Sequence, residues 1–79
     1  MSVELFSVCQ FFPDQSYEYV ARFVPVEQAI EKFKHYTSSV GARIGMTVRV
    51  IITDTGDCIC AEWEFGKGVT FPKPEDHGK

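Results

Sequence analysis

The chain has 79 residues, 44% hydrophobic and 14% aromatic, with a net charge of −3. That length holds one domain, and a domain of this size buries only about 60% of the surface its unfolded chain exposes. Disorder is excluded by the apolar content, a membrane-spanning helix by the lack of a ~20-residue apolar run. Mild acidity argues against direct nucleic-acid binding and favours a protein partner with a basic surface.

Val3 to Phe12 is rich in Val, Leu, Phe and Cys and reads as a strand. Pro13-Asp14-Gln15-Ser16 has turn chemistry. Tyr17 to Val24 reads as the returning strand. Pairing Phe12 with Tyr17 sets Val8 opposite Ala21 and Phe6 opposite Phe23, which places all four on one core-facing side.

Pro25 suits a helix start, and Glu27 suits the positive end of the helix dipole. Val26, Ala29, Ile30, Phe33, Thr37 and Val40 recur at helical spacing and predict one amphipathic helix that stops at Gly41. Met46 to Thr53 predicts a third strand, Asp54-Thr55-Gly56-Asp57 a hairpin turn, and Cys58 to Phe65 a fourth strand. Pairing Thr53 with Cys58 brings Val48, Val50 and Ile52 to Trp63, Ala61 and Ile59. Arg49 then meets Glu62 on the reverse face. Gly66-Lys67-Gly68 is a turn into a short fifth strand, Val69 to Phe71.

The expected fold is α+β: a single antiparallel sheet of four to five strands, β-β-α-β-β, with one amphipathic helix packed on one face. Residues 1–72 form the domain and 73–79 a flexible tail rich in Pro and charge.

Function is then sought on the face the helix leaves free. The strand registers put Leu5, Ser7, Cys9, Phe11, Glu18, Val20, Arg22, Thr47, Arg49, Ile51, Thr53, Cys58, Cys60, Glu62 and Glu64 there. A solvated sheet face is mostly polar, so this mixture suggests an interaction surface. Asp54, Asp57, Glu62 and Glu64 form the densest acidic group, a strip suited to a Lys- and Arg-lined partner. Arg49, Arg22 and Ile51 on the same face add mixed pairing. Tyr17, Tyr19, Phe11 and Phe12 cluster near the first turn, without the basic surround that a base-stacking platform needs.

Cys9, Cys58 and Cys60 are an odd number and too close in sequence for a disulfide framework, so reduced thiols are expected. Three thiols fall short of a structural zinc set. His35 lies on the helix, away from the outward thiols, so a Cys-His nucleophile pair is not expected. No cofactor or metal site and no catalytic residue is assigned. The N-terminus has no basic stretch leading into an apolar one, so a cytoplasmic protein is expected.

The stretch from Arg49 through Asp57 to Val69-Thr70-Phe71-Pro72 resembles the C-terminal hairpin of small proteins of phage and proteobacterial mobile elements. In size, acidity and single-layer build the chain is similar to anti-CRISPR proteins. That resemblance implies a non-enzymatic inhibitor, in the cytoplasm of the host cell if phage-encoded. It would bind a subunit of a Cas surveillance complex and block target-DNA binding. The alternatives are a homodimeric structural or regulatory protein and a small thiol- or metal-dependent enzyme.

Overall fold

The computed structural model describes residues 4–71. The proposed tail, 73–79, lies outside them. The elements are β1 (Phe6–Phe11), β2 (Tyr17–Val24), α1 (Val26–Thr37), α2 (Val40–Arg43), β3 (Arg49–Asp54), β4 (Ile59–Glu64) and β5 (Gly68–Phe71). One five-stranded sheet runs in the order β2-β1-β3-β4-β5, antiparallel throughout. The two hairpins are joined by β1 lying against β3, from Phe6 opposite Asp54 to Phe11 opposite Arg49. Among the described residues no helix is long and apolar enough to cross a membrane.

Helix α1 packs on β1, β3 and β2. Val8, Ala29, Val50 and Ile52 form the buried core, with Phe6, Val20, Ala21, Val24, Phe33, Tyr36, Ala61 and Trp63 around it. The buried stripe of α1 is therefore Ala29 and Phe33, as expected, joined by Tyr36. Val26, Ile30 and Val40 are exposed. The helix also ends earlier than expected. Ser38 turns its hydroxyl back to the Lys34 carbonyl at 2.7 Å. Ser39 caps a separate turn by accepting from the Ala42 N–H at 3.2 Å. Serine side chains that bond nearby backbone compete with helix continuation.

Gly41 sits inside α2 and is not the stop; the first left-handed glycine after it is Gly45, at φ 84°. A Cβ on Gly45 would stand 3.3 Å from the Phe65 ring and press on it, in addition to the strain of the left-handed backbone.

The first hairpin departs from the simple register. Val8 does face Ala21, but Phe11 pairs with Tyr17 and Phe6 with Val24, through two irregularities. Each bulge inserts a residue and changes which side chains point inward. Val24 thus takes the core place expected for Phe23. Phe23 is left 56% exposed, at φ 56°.

The second hairpin is displaced by two residues from the expected pairing: Arg49 faces Glu64, Val50 faces Trp63 and Ile52 faces Ala61. A two-residue slide preserves the faces, because side chains alternate with period two. Past a further irregularity Ile59 lies opposite Thr53, partly exposed rather than in the core. In the β3–β4 turn the positive φ falls on Asp57, at 64°, and not on Gly56.

Candidate protein-binding face

On β1, Val8 and Gln10 point toward the helix side, so Cys9 and Phe11 point to the other. Cross-strand pairing carries that assignment over the sheet. One row reads Tyr19, Cys9, Ile51, Glu62 and Phe71. The next reads Tyr17, Phe11, Arg49, Glu64 and Gly68. The open face therefore gathers Arg49, Ile51, Glu62 and Glu64 as expected, and adds Tyr17 and Tyr19.

Three residues expected on the open face are elsewhere. Val20 sits at the bulge and packs against the core. Glu18 pairs with Gln10 on the helix side, and the Gln10 amide donates to its carboxylate at 3.0 Å. Thr47 is buried and donates to the Gln10 carbonyl oxygen at 2.9 Å. All three follow from the bulged hairpin and the loop before β3, which pattern counting does not register.

At the β2 end the face is a continuous ladder of rings and guanidinium groups. The Arg49 guanidinium lies 5.2 Å from the Phe11 centroid. Phe11 and Tyr17 are 5.7 Å apart, and Tyr17 meets Tyr19 edge-on at 6.0 Å. Arg22 lies 4.7 Å over Tyr19 and 5.5 Å from Phe23. Cation–aromatic contacts of this length are attractive. They hold Arg22 extended along β2, where Tyr17, Tyr19 and Phe23 remain exposed. Sequence reading missed this ladder, since the simple register turned Tyr17, Tyr19 and Phe23 inward.

At the β4 end the acids are engaged within the chain. Arg49 Nε bonds Glu62 at 2.5 Å, and Lys67 reaches Glu64 at 3.3 Å. Asp54 Oδ1 accepts from the Gly56 and Cys58 N–H groups at 2.8 and 3.0 Å and shapes the turn. Asp57 is exposed in that turn. Asp54 and Asp57 thus sit at the end of the β3–β4 hairpin, and Arg22 on the far edge strand.

Of the three free thiols, Cys9 is buried and Cys58 and Cys60 are exposed. Burial pushes the Cys9 thiol pKa up, against a backbone hydrogen bond and the Arg49 charge. Cys60 is also pushed up, by burial first and then by the negative charges of Asp54, Glu4 and Cys58. A raised thiol is less ionised at neutral pH and a poorer nucleophile. Among the described residues no three His, Cys, Asp or Glu side chains meet in a way that could hold a metal. A shallow hollow of about 310 Å³ beside α1 is lined by Glu31, Lys32, His35 and Tyr36, all from that one helix.

No family model, curated protein or solved structure matches the chain.

Proposed function

We propose that this chain is a non-enzymatic binding domain whose open sheet face docks a protein partner. The observation that carries the reading is the exposed ladder Tyr17–Tyr19–Arg22–Phe23 on β2. Tyr and Arg are enriched at binding hot spots: Tyr brings a large rigid contact area with few rotamers to freeze, and Arg brings a planar fork of donors. Here the ladder's own ring and guanidinium contacts hold it extended before a partner arrives, which lowers the ordering cost of association.

Glu62 and Glu64, with Arg49 and Ile51 beside them, give the same face a second, charged end, and Asp54 and Asp57 lie at the tip of the adjoining hairpin. A basic partner surface would meet Asp57 and the outer oxygens of Glu64 first. The resemblance to anti-CRISPR proteins makes a Cas surveillance complex the first partner to test, with the chain blocking target-DNA binding by occupying a basic surface. The test is to titrate the chain onto an assembled surveillance complex and follow both binding and retention of target DNA. Wild type is expected to bind and displace DNA, and Tyr19→Ala combined with Arg22→Ala to lose both. Wild type that neither binds nor displaces DNA overturns the Cas assignment.

A further inference from the structure

We propose that in the free protein the open face is occupied by a second copy of the chain, docked face to face about a two-fold axis parallel to the strands. The proposal rests on the reading of this face as a docking surface and names its resting partner.

Charge is distributed unevenly over this face. Across the face the free cation-bearing end is β2, with Arg22 over Tyr19. The acidic end is β4, with Glu62 and Glu64. β1 and β3 lie between them. Sheets that pack face to face keep their strands within about 30° of each other. Two such two-fold arrangements exist. An axis across the strands lays β4 on β4 and sets acids against acids. An axis along the strands, between β1 and β3, lays β2 of each copy on β4 of the other.

The second arrangement matches opposite chemistry along each row. Arg22 and the Tyr19 hydroxyl meet Glu62, the Tyr17 hydroxyl meets Glu64, and Phe11 meets Arg49 at the centre. Glu62 and Glu64 each already hold one cation within the chain. A carboxylate has about four lone-pair sites, so each retains acceptor capacity for the second copy. The interface is isologous, because every contact occurs twice. Four overlapping strands spaced ~4.8 Å apart give a face roughly 19 Å wide. Over strands of six to eight residues that face is smaller than a standard interface, so the dimer is expected to be weak and reversible. A foreign partner would then compete with the second copy for the same face.

Sedimentation of the full chain over a wide concentration range tests this. Wild type is expected to pass from monomer to dimer. Arg22→Glu alone and Glu62→Lys alone are expected to weaken the dimer about tenfold or more, since like charges then face each other. Mixed together, the two variants are expected to recover association, because each reversed charge meets its complement in the mixed dimer. If unfolding curves show that Glu62→Lys disturbs the fold by orphaning Arg49, Glu64→Lys with Tyr17→Phe provides the second weakening variant. A wild type that stays monomeric throughout, or a mixture no more associated than its components, overturns the dimer. A monomer that still binds the surveillance complex leaves the docking face standing without the dimer. A dimer that no such complex dissociates leaves the dimer standing and removes the Cas reading.

Discussion

Arg49 stands over the Phe11 ring of the neighbouring strand, 5.2 Å from its centroid, while its Nε bonds Glu62 on the strand at its other side. One side chain thus ties three adjacent strands together on a face no helix covers. The link to Glu62 is diagonal, because the residue directly opposite Arg49 is Glu64. Arg49→Ala is expected to cost about 0.5–1 kcal/mol, the range of partly exposed ion pairs and cation–aromatic contacts. Arg49→Lys is expected to recover only part of it, since an ammonium cannot stack its plane on the ring. Urea unfolding of both variants checks the order.

Gln10 is buried and connects the loop before β3 to the edge strand. Its carbonyl oxygen accepts from Thr47 and its amide donates to Glu18. Gln10→Leu leaves the buried Thr47 hydroxyl without that acceptor, a loss of about 1–3 kcal/mol. Thr47→Val in the same background is expected to restore part of the stability by removing the orphaned donor. A double-mutant cycle that shows no coupling between the two sites would refute this link.

Phe23 adopts φ 56°, a left-handed conformation that costs an ordinary L-residue roughly 1–2 kcal/mol. Its ring is largely exposed, so burial contributes little in return. Phe23→Gly is expected to raise the unfolding midpoint, with a gain near 1 kcal/mol, partly offset by the added freedom of the unfolded chain. The same change is expected to weaken docking on the open face. Improved stability together with reduced binding would mark the strain as retained for recognition.

Asp14 accepts from both the side chain and the N–H of Ser16. These bonds hold its carboxyl pKa below the usual aspartate value. A pKa depressed in the folded state means that the stabilisation is present above the unfolded-state value. It is lost as pH falls through the folded one. Ser16→Ala is expected to move the Asp14 pKa upward and to shrink the acid-side loss of stability. Carboxyl NMR titration reads the shift directly.

The thiols divide by burial. Two are expected to react with a chromogenic disulfide under native conditions, and the third, Cys9, only on unfolding. Cys60, pushed up by burial and neighbouring acids, is expected to react more slowly at neutral pH than a free cysteine and to accelerate as pH rises. Mass spectrometry of the labelled peptides assigns the order.

The α+β class, the element order and the alternation that places Arg49, Ile51, Glu62 and Glu64 on one face all follow from the sequence alone. They depend on period-two and period-3.6 patterns and on local turn chemistry, which are properties of neighbouring residues. Even the two-residue displacement of the β3–β4 hairpin left those faces intact. What only the tertiary structure decided were the bulges of β1 and β2, the break at Ser38 and Ser39, and the outward turn of Val26 and Ile30 on α1. A bulge depends on how a strand twists over a particular core, and no residue count contains that. The break at Ser38 and Ser39 turned on side chains choosing between local and helical bonds. Because the bulges send Val20 and Val24 inward and Tyr17, Tyr19 and Phe23 outward, the aromatic ladder became visible only once the sheet was assembled.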